Sequence, residues 1–169
     1  MELPINTIEI LAFKVLNRNI DKTWIDWAVD MLMAGFDTES LVILAGESEP
    51  YNQFELQRLT DKVFNELNLN YSDKKQIVED YNYYLIDGAL NNKFDSFKVL
   101  GILKDICIEL DYDKTLYNFY SLYFAKDDLM DSGFQWYWKG ATIENIDNII
   151  TEYMVKWRSD YLNRKTTTA

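Results

Sequence analysis

The sequence predicts an all-α protein: a compact bundle of seven to eight helices, with one short extended aromatic segment near residues 133–140. Three observations lead there. Apolar residues recur at spacings of three and four along most of the 169 residues. Only two prolines and six glycines interrupt them, so helix breakers are scarce. A chain of this length, 48% hydrophobic, can build one core unaided, since a domain of about 150 residues buries about 70% of its unfolded-chain surface. A single helical domain over residues 1–165, with a disordered tail over 166–169, is therefore expected.

The elements follow in order. Ile8, Leu11, Ala12 and Val15 share one face of a first helix over residues 5–17. Asp21 is placed to cap a second, which runs to residue 34 along Trp24, Trp27, Ala28, Met31 and Leu32, with Gly35 closing it. Asp37 is the candidate cap for a short third helix over 38–44. Pro50 breaks the pattern, because the residue before a proline avoids the helical region. A fourth helix over 53–67 carries Leu56, Leu59, Val63 and Leu67. A fifth spans 72–90, with Ile77, Tyr81, Tyr84, Leu85 and Leu90. Asp95 caps a sixth reaching residue 110, in which Val99, Leu103, Ile106 and Leu110 form the stripe. A seventh over 114–129 is rich in Tyr117, Phe119, Tyr120, Tyr123 and Phe124. The eighth, over 143–162, has the cleanest amphipathic pattern, from Ile146 to Tyr161, and its bases Lys156 and Arg158 suit a helix C-terminus.

One stretch breaks the helical period. Between Gly133 and Gly140, Phe134, Trp136 and Trp138 alternate with Gln135, Tyr137 and Lys139, the pattern of a short extended segment. No strand partner is evident, so it reads as an extended connection. Its rings admit two arrangements. Phe134, Trp136 and Trp138 could close one end of the core and leave Tyr137 alone outside, or Trp136, Tyr137 and Trp138 could anchor a protein interface, where Trp and Tyr are enriched among hot spots.

Charge and composition exclude several functions. The net charge of -11 sets up a field that repels phosphates and anionic headgroups, so neither nucleic acid nor membrane is expected as a partner, and a charged partner would be a basic protein. The first 50 residues hold 9 acids and 3 bases, while the last 19 hold 2 acids and 4 bases. The single Cys107 leaves no disulfide framework, which points to a reducing, cytoplasmic setting. Met1-Glu2-Leu3-Pro4 does not start a basic and then apolar leader, so no signal peptide is expected. No apolar run is long enough to span a bilayer.

The chain has no histidine, which removes Ser-His and Cys-His catalysis and His-ligated zinc. No phosphate-binding glycine loop is present, and no cofactor is indicated. Carboxylates, lysine and tyrosine remain. Asp127, Asp128 and Asp131 fall at a helix end, where pairs three or four apart share a face and could hold a hard divalent cation. Glu109, Asp111 and Asp113 form a second acidic group, but Leu116 stands where a calcium loop needs glycine. Glu79, Asp80 and Asp87 sit on an aromatic helix, where burial would raise a carboxyl pKa. Cys107, between Ile106 and Ile108, reads as a small buried hydrophobe, and Trp24 with Trp27 as core.

The stretch from Trp24 through Gly35, Asp37 and Ser40 to Gly46, continuing through Asn52 and Glu55 to Glu66 and Leu67, resembles the N-terminal part of small all-helical bacterial proteins of unassigned function. In size and acidity these are similar to immunity proteins, which neutralise toxins exchanged between neighbouring cells. The resemblance implies a helical, non-enzymatic protein with a protein partner. It supplies no catalytic motif, and the turn has a purely structural account: Gly35 ends one helix and Asp37 caps the next.

A non-enzymatic protein-binding module for a basic partner, in its most specific form an immunity or inhibitor protein, is thus the expectation. The candidate contact residues are Trp136, Tyr137, Trp138, Glu109, Asp111, Asp113, Asp127, Asp128 and Asp131. A carboxylate-dependent metal enzyme and a helical small-molecule sensor with an aromatic pocket are the alternatives.

Overall fold

The structure, a computed structural model, describes residues 2–168, with side chains through residue 167. Eight helices and no strand occur among them: α1 (Thr7–Val15), α2 (Lys22–Met33), α3 (Glu39–Ala45), α4 (Gln53–Glu66), α5 (Lys74–Leu90), α6 (Ser96–Glu109), α7 (Tyr117–Ser132) and α8 (Ile146–Thr168). The all-helical expectation holds. Contacts gather into two compact units, Met1–Tyr81 and Asn82–Ala169, with the boundary inside α5. No helix among the described residues is long and apolar enough to cross a membrane.

In the first unit the apolar stripe of α2 meets α3 and α4. Trp24, Trp27 and Met31 are fully buried with Ile10, Leu41, Leu44, Val63 and Phe64. Phe64 is the hub: Trp24 stacks on it at 6.2 Å, while Trp27 and Tyr71 meet it edge-on at 6.0 and 5.3 Å. Polar groups fix the helices in register. Lys14 of α1 reaches α4, donating to Thr60 Oγ1 at 3.0 Å and pairing with Asp61 at 2.7 Å. The Gln53 amide holds both backbone groups of Ile20, at 2.7 and 2.8 Å, as another peptide unit would.

Helix starts follow local chemistry. Asp21 accepts from Thr23 N at 2.9 Å and Asp95 from Lys98 N at 2.7 Å, so both expected caps form. Asp37 does not cap α3, because Thr38 occupies the N-cap position and makes no side-chain cap bond. The carboxylate that serves the first turn of α3 comes from Glu66, at the far end of α4. Gly35, with φ of 91°, takes the left-handed position just after α2.

The second unit packs α6 against α7 and α7 against α8. Its buried residues include Leu100, Leu103 and Ile106 of α6, Phe119, Leu122 and Leu129 of α7, and Ile150, Met154 and Trp157 of α8. α7 begins at Tyr117 rather than residue 114, because the Asp113 carboxylate folds back onto Thr115 N at 2.8 Å. It ends where Gly133 turns left-handed, φ 74°. α8 begins at Ile146, after Asn145 has bonded Thr142 N at 2.7 Å. It continues past residue 162 to Thr168, and within it the Thr166 and Thr167 hydroxyls bond the Leu162 and Asn163 carbonyls. Residue 169, the end of the expected tail, lies outside the described residues.

Candidate functional site

α7 is apolar on two faces. Phe119, Leu122, Ala125 and Leu129 enter the core of the second unit. Tyr117, Tyr120 and Phe124, at i, i+3 and i+7, form a second stripe that is not buried. Along it Tyr117 stacks on Tyr120 at 5.5 Å, and Tyr120 meets Phe124 at 4.9 Å.

Two flanking segments add to this stripe. From the turn after α6, Tyr112 meets Tyr120 edge-on at 5.6 Å. From the connection before α8, Tyr137 stacks on Phe124 at 5.4 Å. Tyr112, Tyr117 and Tyr137 remain 49%, 47% and 45% exposed. The Tyr120 phenol is held above its ordinary value, by burial first and then by Tyr112, Tyr137, Tyr117 and Cys107, so the four phenols share one neighbourhood. None of their hydroxyls bonds a protein group among the described residues.

Tyr112 is placed there against local preference. It and Asp111 have φ of 59° and 54°, and a bulky residue at positive φ is a backbone outlier. The pair closes α6, with Tyr112 N bonded to Cys107 O at 2.8 Å. The Cys107 thiol is buried and donates towards Asp113 O at 3.7 Å, and burial, ahead of Asp113, pushes its pKa up.

Residues 133–140 form bends and a turn. An extended segment without a ladder partner would leave its amides unpaired, and the Gln135 side chain resolves this locally. Its amide donates to Trp138 O at 2.7 Å and to Ala141 O at 3.2 Å, and its oxygen accepts from Trp138 N at 2.8 Å. The three rings expected on one core-closing face therefore separate. Phe134 and Trp136 meet edge-on at 4.6 Å in solvent, Trp136 being 83% exposed. Trp138 turns inward, half-buried and edge-on to Tyr153 at 6.0 Å. The core-closing arrangement is thus overturned, and Trp136, Tyr137 and Trp138 do not form one continuous patch.

The candidate acids fall into two groups at the two ends of α7, whose 16 residues span roughly 24 Å. Glu109 and Asp111 are exposed and Asp113 half-buried before its start; Asp127 and Asp131 are exposed and Asp128 half-buried near its end. No three acidic or cysteine side chains come together in a way that could hold a metal ion among the described residues. Asp127 instead adds to the field on Lys104. That ammonium is held above its ordinary value, chiefly by its 2.7 Å bond to Asp105 and against the effect of burial. Asp80 accepts from Gln76 at 2.6 Å, and Asp87 pairs with Arg158 at 3.0 Å.

A cleft of about 470 Å³ opens in the same unit, lined by Phe94, Phe97, Lys126 and Asp147 among others. Lys126 is already engaged, paired with Asp147 at 2.6 Å and lying 5.0 Å over the Phe97 ring.

Sequence reasoning singled out the aromatic connection and both acidic groups as candidates and did not mark Tyr112, Tyr117 and Tyr120 as surface. The available signal was the double periodicity of α7: two apolar stripes on one helix, of which the core can take only one. Comparison with protein-family models, with curated proteins and with solved structures finds no match to this chain.

Proposed function

We propose that this chain is a non-enzymatic protein-binding module of a reducing compartment, whose partner is a basic protein, and that its most specific role is that of an immunity or inhibitor protein. The observation that carries the reading is the outward aromatic surface of the second unit. Tyr112, Tyr117 and Tyr137, each near half exposed, lie along α7, which has carboxylates at both ends, and Trp136, at 83% exposure, stands out from the connection that follows it. Large exposed rings cost solubility when they have no partner, and Trp and Tyr dominate interface hot spots. The net charge of -11 favours encounter with a positive surface.

The test is kinetic. A partner captured from source-cell lysate is measured at low and physiological salt, where screening shortens to about 8 Å. Association slows with salt while dissociation changes little, and Trp136→Ala speeds dissociation instead. Salt-independent association, or capture of acidic proteins alone, assigns the charge to solubility and removes the reading.

A further inference from the structure

We propose that the four-tyrosine cluster of Tyr112, Tyr117, Tyr120 and Tyr137 is the receptor for an arginine side chain of the partner, the guanidinium lying on an open ring face and donating to the unused phenol oxygens. This deepens the reading above and rests on it for the partner being a basic protein. The contact centre thereby moves from the Trp136 loop to the surface built around α7.

Three observations carry it. First, the cluster is assembled from three separate segments, and one contributor, Tyr112, is held at φ 59°. Such strain persists where the surroundings enforce it and concentrates at binding surfaces. Folding gains little in return, since the Tyr112 ring stays half exposed. Second, the ring geometry leaves faces open. Tyr120 is covered by Tyr112, Tyr117 and Phe124, whereas Tyr117 stacks on Tyr120 alone among the described rings and stays 47% exposed. Third, this chain already places its own cations on aromatic rings: Arg18 lies 4.7 Å over Phe13 and Lys104 4.7 Å over Tyr123. No such cation covers Tyr112, Tyr117 or Tyr137 among the described residues.

Charge and chemistry select the occupant. Asp111 and Asp113 flank Tyr112 in the chain, and the overall field attracts cations. Arginine fits better than lysine, because a guanidinium is planar, weakly hydrated and able to stack while its edge donates several hydrogen bonds. The phenol oxygens accept those bonds, and the rings exclude water from one side.

Proton NMR titration of the full chain with N-acetyl-arginine methylamide tests this, with the citrulline and lysine analogues as comparisons. The arginine δ-methylene protons shift upfield on binding, the lysine amide binds more weakly, and the neutral citrulline amide does not bind. Tyr117→Leu removes the shift and weakens binding about fivefold. Asp111→Asn weakens binding while keeping the ring shift at saturation, which separates the charge from the ring face, and an unchanged circular dichroism spectrum of Tyr117→Leu separates loss of the receptor from loss of fold. An equal response to citrulline, or an upfield shift that survives in both Tyr112→Leu and Tyr117→Leu, overturns the proposal. A basic partner that binds with salt-dependent association yet is indifferent to both tyrosine variants also overturns the cluster's role while leaving the module reading intact. The upfield shift without any basic partner does the reverse.

Discussion

Glu66, the last residue of α4, caps a helix to which it does not belong: its carboxylate accepts from Ser40 Oγ at 2.6 Å and from Ser40 N at 3.1 Å, in the first turn of α3. The charge faces the amide end of a short helix that has no capping side chain of its own, which is the favourable sense for the helix dipole. The carboxyl is held below its ordinary value of 4.5, with the Ser40 hydroxyl as the first cause. A depressed carboxylate contributes stability that is complete above the unfolded-state value and fades as pH falls through the folded-state value. Glu66→Gln is therefore expected to lower the urea midpoint at pH 7, and the difference from wild type should shrink below about pH 4. A difference that persists unchanged to pH 3 would show that the charge is irrelevant to the contact.

Lys14 and Asp61 predict an asymmetric pair of variants. The Lys14 side chain is nearly buried and also serves Thr60, which is wholly buried, whereas Asp61 is half exposed. Lys14→Met takes a charged donor away from Thr60 Oγ1 and Gln57 Oε1, while Thr60 keeps its own bond to the Gln57 carbonyl, at a cost of ~2 kcal/mol. Asp61→Asn loses a partly screened charge, at ~0.5 kcal/mol. Chemical denaturation of both variants reads the order directly, and equal costs would mean that the buried hydrogen bonds contribute nothing beyond the ion pair.

The two core tryptophans differ in one atom's surroundings. Trp27 Nε1 donates to Thr7 Oγ1 at 3.0 Å, while Trp24 Nε1, equally buried, has no partner among the described residues. Replacing either by Phe removes similar volume. Trp24→Phe also removes an unpaired donor, and Trp27→Phe takes a donor away from Thr7. Trp24→Phe is thus expected to be the milder change, by ~1 kcal/mol or more. Thermal melts in which Trp24→Phe is the more damaging would contradict this.

Gly88 reverses a helix rule. Alanine normally stabilises a helix interior over glycine by about 1 kcal/mol, yet a Cβ at Gly88 would stand 2.1 Å from Phe94 Cδ2. That ring also sits edge-on to Tyr84 at 5.3 Å. Gly88→Ala should therefore destabilise, by ~1–3 kcal/mol for an overpacked site, and Phe94→Ala should relieve the penalty in the double variant. Additive effects in that cycle would place the cost elsewhere.

Trp136 and Trp138, two residues apart, separate stability from binding. Trp136→Ala should leave stability within about 0.5 kcal/mol of wild type, as surface changes do. Trp138→Ala gives up its contact with Tyr153 and should lower the melting temperature. A large loss of stability in Trp136→Ala would refute the outward placement and spoil that variant as a binding probe.

How far these features were legible depends on how local their causes are. Asp21, Asp95 and the α2 stripe act within a turn or two of chain, so spacing alone located them. The source of the α3 cap was not legible, since Glu66 lies 26 residues from Ser40 and only tertiary contact joins them. Alternation in residues 133–140 suggested an extended segment with a shared face; the Gln135 amide, paired within its own loop, bent the chain and parted the rings. On α7 the stripe of Tyr117, Tyr120 and Phe124 stands beside that of Phe119, Leu122 and Leu129, so periodicity could not say which stripe meets the core. The acids were named from the sequence as candidates, and their division between the two ends of α7 follows from where that helix starts and stops.

The Gln135 clamp has a consequence for recognition. A loop presenting a large ring to solvent would ordinarily sample many conformations, and a partner would have to freeze it on contact. Here three hydrogen bonds from one side chain join residue 135 to residues 138 and 141, so that ordering is completed when the chain folds. The rings of Phe134, Trp136 and Tyr137 are thus pre-organised, and Gln135→Ala should show the difference as slower association with an unchanged fold.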